Sequence, residues 1–370
     1  MSAGAAYDEL RVRIVGTGLI GASLGMALSR KGFQVSLDDP SPTAAALARD
    51  LGAGVLAADT VGDPDLVVVA APPDVVADVV ERELLRWPKA VVTDAASVKG
   101  SVLKALQNRD VDLSRYVGSH PMAGREKSGA VAAQVDLFEG RSWVVAPGPQ
   151  AAPGAIELVR RVAAAAGSAV LVMTPLEHDA AVAAVSHVPQ IAASLVASQL
   201  LELSSSAVAL SGQGIRDVTR IAASDPSMWT QILVGNAPAV RGVLESMAEQ
   251  LDAVLVALRR LESGSGHDTV GARAVLARAV ADGNAGHARI PGKHGAAPTT
   301  YAAVVVVVPD EPGALGRLLR DVGDAGVNME DLHLEHGVGQ PFGLAELSVL
   351  PAAVAPLMTA LGSLGWRVHE

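Results

Sequence analysis

The sequence has no cysteine. Disulfides, thiolate metal sites and a cysteine nucleophile are therefore excluded. Aromatic side chains make up only 3% of the chain, so the core must be built from small aliphatic groups, chiefly Ala and Val, at close spacing. Basic residues are outnumbered by acidic ones, 29 to 39, and no Lys/Arg cluster stands out. That pattern predicts no nucleic-acid partner. Residues 1–13 hold no basic segment followed by an apolar one, so a signal peptide is not expected. The most apolar run, residues 302–308, is too short for a bilayer and reads as a buried strand, with no membrane partner. A soluble cytoplasmic protein is the expectation that remains.

Half of the 370 residues are apolar, enough for two or three cores. From residue 12 to 173, short β-branched runs alternate with helical stretches: 12–15, 35–37, 66–70, 90–94, 116–118, 143–146 and 170–173. Between the first two, Ile20, Leu24, Ala27 and Leu28 share one helical face. Alternating strands and helices predict an α/β fold, a parallel Rossmann sheet over residues 1–173. Over 174–282 the strand signal vanishes. A stripe from Ile232 through Val240, Leu244, Met247, Leu251, Leu255 and Leu258 to Leu261 predicts a long helix. So long an apolar stripe needs a partner surface, which an all-α dimerisation domain supplies, so a homodimer is expected. A short helix is predicted over 269–280, and the Gly, Pro, Asn and His content of the residues that follow predicts a linker, bounded at 283–299. From 300 to 370 the order strand, helix, strand, strand, helix, strand predicts a small ferredoxin-like βαββαβ domain.

The loop Gly16-Thr17-Gly18-Leu19-Ile20-Gly21 follows a strand and opens a helix. In that context Gly16 permits a tight turn, Gly18 lets a pyrophosphate approach the backbone, and Gly21 lets helix and strand pack closely. The N–H groups around Leu19 and Ile20 would receive the pyrophosphate. Asp38 and Asp39 both stand near the end of the second strand. Asp39, about 20 residues on, is favoured as the ribose ligand, and its carboxylate would repel a 2′-phosphate, so the expected cofactor is NAD. The plain alternative is a glycine-rich turn in a domain that binds something else.

Further motifs are more specific. They are Thr93 to Lys99, Gly118-Ser119-His120-Pro121-Met122-Ala123-Gly124 with Ser128-Gly129, Leu137 to Gly140, Glu177-His178-Asp179, Ser186-His187-Val188-Pro189, Thr219 to Ala222 and Ser224 to Trp229. Together, and in this order, they resemble the prephenate/arogenate dehydrogenase family. The C-terminal unit, through Asp310 to Leu315 and Gly326-Val327-Asn328, resembles an ACT domain, a module that commonly binds amino acids. Two departures fall in the substrate region: Gln190 where many relatives have a second His, and Gln213 in place of a Gly.

The resemblance implies NAD-dependent oxidative decarboxylation of prephenate or arogenate, in tyrosine biosynthesis. Hydride leaves C4 of the ring, the ring carboxylate leaves as carbon dioxide, and a base must take the proton of the C4 hydroxyl. His120 is the candidate base, and neutral imidazole suits that role. Ser97 would hold the His120 tautomer and touch the substrate, or else cap the next helix. Arg220 would grip a substrate carboxylate with two hydrogen bonds, unless it pairs with Asp217 one turn earlier. His187 would meet the pyruvyl side chain. Trp229 would close the site or pack in the core. Gly313 and Asn328 would shape a site for an effector such as tyrosine, or simply form turns. A metal reading of His178, Asp179 and His187 finds no further ligand at suitable spacing to accompany them. No acid adjoins His187 or Gln190 to hold an ammonium, so prephenate is favoured over arogenate. Two other readings compete: a β-hydroxyacid or imine reductase, which the Ser119 to Gly124 stretch argues against, and a non-catalytic NAD-binding amino-acid sensor.

Overall fold

A computed structural model describes residues 10–60, 62–124, 129–263, 269–290, 301–336 and 341–369. The chain forms two compact units, residues 1–249 and 250–370.

The first unit begins with β1 (Arg11–Val15), α1 (Leu19–Arg30), β2 (Gln34–Asp38), α2 (Pro42–Asp50), β3 (Val55–Leu56), β4 (Leu66–Val69), α3 (Val76–Arg86), β5 (Val91–Asp94), α4 (Gly100–Gln107), β6 (Tyr116–Pro121), β7 (Ser142–Pro147), α5 (Pro153–Ala165) and β8 (Ala169–Val172). The sheet order is β3-β2-β1-β4-β5-β6-β7-β8. Every residue of β4 is buried. Leu66 and Val68 join one core layer, Val67 and Val69 the other, as the two-residue period of a strand requires. A strand covered on both faces reads as a continuous apolar run, which is why Leu-Val-Val-Val stands out in the sequence. Strand order reverses between β1 and β4, and that crevice is where open sheets of this kind bind ligands.

The sheet is not wholly parallel: β7 runs antiparallel to β6, with His120 opposite Val144. Among the described residues, β6 and β7 are joined by one short 3-10 turn and no crossover helix, so the chain returns in the opposite direction. β6 also extends past its predicted end, so His120 lies within the strand rather than beyond it. β3 was not expected from the sequence.

Helices follow: α6 (Pro175–Val182), α7 (Val188–Ser198), α8 (Ser205–Val208), α9 (Gln213–Thr219), α10 (Pro226–Gly235) and α11 (Ala237–Glu262), which continues into the second unit. Thr174 and Glu177 form a reciprocal capping box that starts α6. Between α6 and α7, residues Ala183–His187 widen into a π-helical turn. Pro189 follows at once; it has no N–H to donate, and its ring crowds the carbonyl four residues back, so the rod widens there. Leu176, Leu195, Leu201, Leu210 and Val234 stand exposed in this helical part. Pro175–Glu202 is also long and apolar enough to cross a membrane by length and composition alone. The same segment carries the buried polar residues His178, Asp179, His187 and Gln190.

In the second unit, α12 (Thr269–His287) precedes β9 (Ala302–Pro309), α13 (Ala314–Asp324), β10 (Asp331–His336), β11 (Phe342–Val349), α14 (Val354–Ser363) and β12 (Arg367–His369). The antiparallel order β10-β11-β9-β12 is the ferredoxin-like arrangement predicted by the sequence pattern. Val304, Val306, Val308, Leu318, Leu347, Leu357 and Leu361 fill its core. The expected linker does not begin at 283, because α12 runs on to His287. Its Ala-rich flanks carry it through Gly283 and Gly286, each costing about 1 kcal/mol relative to Ala. Linker residues 291–299 lie outside the described residues.

Candidate active site

Gly16 has φ +98°, and a Cβ there would meet the Ala70 carbonyl oxygen at 2.3 Å. A Cβ on Gly21 would strike the Gly16 oxygen at 1.8 Å. At Gly18, by contrast, a Cβ would find no atom of the described residues within 4 Å. The loop is tight on its protein side and open where a pyrophosphate would lie. α1 starts at Leu19 with no side-chain cap and no acid in its first turn, leaving the N–H groups of Leu19 and Ile20 free to receive an anion. The two candidate acids are placed differently. Asp38 accepts from the buried guanidinium of Arg13 at 2.6 Å, and Arg13 also donates to buried Glu83 at 3.0 Å. Asp39 turns to the loop, accepting from the N–H and hydroxyl of Thr17 at 2.7 and 2.9 Å. A dinucleotide with its pyrophosphate on α1 and its ribose toward Asp39 fits these residues.

Two residues beyond the last β5–β6 pairing, at the C-terminal end of β6, His120 begins a line of three side chains. Nδ1 of His120 lies 2.9 Å from Nε2 of His178, and Nδ1 of His178 lies 2.8 Å from Oδ1 of Asp179. The carboxylate also accepts from the N–H of Lys99 at 2.9 Å and of Gly100 at 2.8 Å, the start of α4. Gly100 leaves the room for this, since a Cβ there would sit 2.8 Å from Asp179 Oδ2. Burial would raise the Asp179 pKa, but the His178 ring and the two backbone N–H groups outweigh it and hold the carboxyl below its ordinary value. An ionised carboxylate only accepts, so Nδ1 of His178 carries its proton. With the His178 proton on Nδ1, its Nε2 accepts, and His120 donates from Nδ1. The remaining nitrogen of His120, Nε2, is left with a lone pair. Among the described residues no protein group pairs with it. Burial, then His178, Lys99 and His187, push the His120 pKa well below the ordinary histidine value, so the ring is a neutral base at physiological pH.

Beneath this line lies a buried cation. Lys99 Nζ bonds Asp94 and donates to the Ser119 carbonyl at 2.7 Å, while the Tyr116 hydroxyl donates to Asp94 at 2.7 Å. Burial lowers the Lys99 pKa against the pull of Asp94 and raises that of Tyr116. The network anchors the main chain of β6 one residue before His120.

Two segments match one family. Residues 24–181 match the description "Prephenate dehydrogenase, nucleotide-binding domain", and residues 174–266 match "Prephenate dehydrogenase, dimerization domain". A probable prephenate dehydrogenase of Streptomyces niveus, NovF, is 36% identical over 96% of this chain and 99% of its own length. The chain belongs to the prephenate dehydrogenase family. A prephenate dehydrogenase of Bacillus subtilis is 26% identical over 83% of each chain. The structure of the Aquifex aeolicus prephenate dehydrogenase, in complex with hydroxyphenyl propionate and NAD+, superposes with a TM-score of 0.63 at 28% identity. It covers 75% of this chain and 99% of that one. The chain is thus an NAD-dependent oxidoreductase of the prephenate dehydrogenase family, with a Rossmann-like domain and a helical dimerisation domain. The apolar run of α6 and α7 falls within those two matched domains.

The other predicted residues of this dehydrogenase are placed as follows. His187 is buried at the end of the π-helical turn, with Nδ1 3.1 Å from Asn236 Nδ2. Trp229 meets the His187 ring edge-on, 6.1 Å between centroids, and also packs on the α3–α4 core layer. Arg220 stands exposed on a 3-10 turn packed against α7, and no carboxylate among the described residues pairs with it. The alternative partner Asp217 instead accepts from Gln213 at 2.8 Å. Gln190 is buried and accepts from Ser224 at 3.3 Å. Ser97 is half-buried just after β5. The expected contact with His120 is not made, because His178 occupies Nδ1 of that ring; Ser97 does not cap α4 either, whose N–H groups go to Asp179. Ser128 lies outside the described residues. In the second unit Gly313 (φ +87°) opens α13, whereas Asn328 follows that helix's far end. An 11-residue helix is about 16 Å long, so one chain does not bring the two onto one small ligand.

Asn236, Asp94 and Lys99 were missed as site residues, and His178 and Asp179 were weighed only as metal ligands. A signal existed for Asn236: Gly235-Asn236-Ala237-Pro238 interrupts a helical stripe with a helix breaker and a helix-starting proline.

Proposed function

We propose that the protein is a prephenate dehydrogenase converting prephenate to 4-hydroxyphenylpyruvate in tyrosine biosynthesis, with His120 as its general base. The observation that carries this reading is the Asp179–His178–His120 line, which leaves a lone pair on Nε2 of a neutral ring beside the dinucleotide crevice. Bound NAD+ supplies the hydride acceptor. His120 Nε2 takes the proton of the C4 hydroxyl as that carbon becomes carbonyl-like. Positive charge formed on His120 is stabilised through His178 by the Asp179 carboxylate. The C1–carboxylate bond then breaks, carbon dioxide leaves, and its electron pair enters the ring to make it aromatic. The phenolate oxygen takes the proton back from His120, so the base is regenerated and no net proton is consumed.

Gly16, Gly18, Leu19, Ile20, Gly21 and Asp39 hold the cofactor. Arg220 supplies an exposed guanidinium for a substrate carboxylate, His187 meets the side chain, and Trp229 shields it. Ser97 touches the substrate and does not hold the His120 tautomer. The exposed apolar helices of residues 174–262 support a homodimer. The C-terminal βαββαβ unit acts as an ACT-like domain for an amino acid such as tyrosine, and the enzyme works in the cytoplasm.

The test is NADH formation from prephenate and NAD+, with 4-hydroxyphenylpyruvate identified as product, with and without tyrosine. His120→Asn lowers kcat by about 10²–10⁴-fold, with NAD affinity nearly unchanged. Near-normal turnover in that variant removes His120 from the chemistry.

A further inference from the structure

We propose that Asn236 sets which substrate side chain the site accepts, by locking His187 as a hydrogen-bond donor; this rests on the reading above, in which His187 meets that side chain. Asn236 is buried in the one-residue break between α10 and α11. Its Nδ2 donates to the main-chain carbonyl of Asp179 at 2.8 Å and lies 3.1 Å from Nδ1 of His187. A carbonyl oxygen only accepts, so the amide atom facing it must be nitrogen. A flipped amide would set two oxygens against each other. The second hydrogen of Nδ2 therefore goes to His187 Nδ1, which accepts it. Neutral imidazole has one proton, and here it must sit on Nε2. Burial holds His187 below its ordinary value against the pull of Asp179, so the ring is neutral near pH 7. Among the described residues no protein acceptor meets Nε2–H, which leaves it for substrate.

An Nε2–H donor recognises an acceptor. The keto oxygen of a pyruvyl side chain is one, whereas an ammonium at the same position offers only donors. The opposite tautomer is closed off, because it would need Asn236 to flip and strip the buried Asp179 carbonyl of its partner. Rejection of the amino substrate is thus built from an unfavourable alternative as well as a favourable contact. Asn236 is a positioning residue here: it touches no substrate and acts through the imidazole. His178 and Asp179, which orient His120, share this network through the Asp179 carbonyl. Base and side-chain recognition are therefore tied to one residue pair at the start of the helical part.

The experiment is kcat/KM for prephenate and for arogenate, measured on the full chain and on Asn236→Asp. The unmodified protein prefers prephenate by at least about tenfold. An aspartate only accepts, so it turns Nδ1–H toward itself and leaves a lone pair on Nε2. The prephenate-to-arogenate ratio then falls by about 10–100-fold. A ratio unchanged while both substrates turn over overturns the inference and leaves the reaction intact. No turnover of either substrate by the unmodified protein overturns the reading it rests on. Because the new carboxylate also faces the Asp179 carbonyl and costs stability, the unmodified protein supplies a second readout. ¹⁵N NMR of histidine-labelled protein shows the His187 proton on Nε2, and a proton on Nδ1 overturns the inference.

Discussion

Replacing Asp179 by Asn removes one charge and exchanges one acceptor oxygen for a donor. The native carboxylate accepts from three groups: the His178 ring, the Lys99 N–H and the Gly100 N–H. Oδ1 accepts from both the His178 ring and the Lys99 N–H, and Oδ2 from the Gly100 N–H. With the amide oxygen at the Oδ2 position, the NH₂ faces the Lys99 N–H and the His178 ring and reverses that ring. Nε2–H of His178 then donates to His120, whose proton moves to Nε2, where the lone pair is needed. With the oxygen at the Oδ1 position, His178 keeps its tautomer, the Gly100 N–H faces the NH₂, and the charge that stabilises protonated His120 is gone. Either orientation strands one backbone N–H, at about 1–3 kcal/mol, and either lowers kcat. An Asp-to-Asn change that imposes the wrong tautomer on a catalytic His directly costs about 10⁴-fold in kcat. Here the effect passes through an intervening ring, so a loss of about 10²–10³-fold is expected. Initial rates of NADH formation with saturating prephenate give kcat, and fluorescence titration gives NAD affinity, expected to be unchanged. His178→Asn should lose a similar amount, and the double variant little more, because the two act as one unit. If Asp179→Asn keeps kcat within about threefold, or if the two losses multiply, the line of three residues does not orient the base.

The remaining predictions concern the cofactor loop, the substrate anion and pH. Gly18→Ala should leave the melting temperature unchanged, since its Cβ meets no atom of the described residues within 4 Å, while weakening NAD binding about tenfold. Gly16→Ala should do the reverse, losing about 1–3 kcal/mol in urea unfolding, from a left-handed backbone and the 2.3 Å approach to Ala70. Arg220→Ala should raise KM for prephenate about 10–100-fold with an unaltered melting temperature, as expected for an exposed guanidinium that pairs with no carboxylate among the described residues; an unchanged KM moves the anion contact elsewhere. The His120 and His187 pKa values are both lowered by folding, so below the ordinary histidine pKa of 6.5 the unfolded chain binds more protons than the native one. Stability should therefore fall as pH drops below about 6.5, and again below the ordinary aspartate pKa as Asp179 is titrated, while kcat/KM stays flat to a pH well under 6.5. Urea unfolding and rate profiles from pH 8 to pH 4 check both.

Much of this was legible in the sequence because it is written in local periodicity. The Gly16–Gly21 loop sits between a β-branched run and a helical one, and β9 to β12 alternate with two amphipathic helices, so both folds follow from neighbours along the chain. Strand direction is not local in the same way: β7 runs back against β6, with no crossover helix among the described residues between them, which the alternation of apolar residues does not record. The base line was hidden for a related reason. His178 and Asp179 are adjacent and invite a metal reading, whereas the group they serve is 58 residues away on β6. Asn236 was masked by a stripe of apolar residues that keeps helical spacing across the break. The choice between Asp38 and Asp39 depends on Arg13, an arginine buried in a central strand, whose ion pairs with Asp38 and Glu83 bring together three separate segments.

The mechanism turns on one proton, and neutron diffraction of the NAD-bound protein at neutral pH locates it. Deuterium is expected on Nδ1 of His120, directed at Nε2 of His178, with Nε2 bare and facing the crevice. Deuterium on Nε2, with Nδ1 bare, would refute His120 as the base in this form.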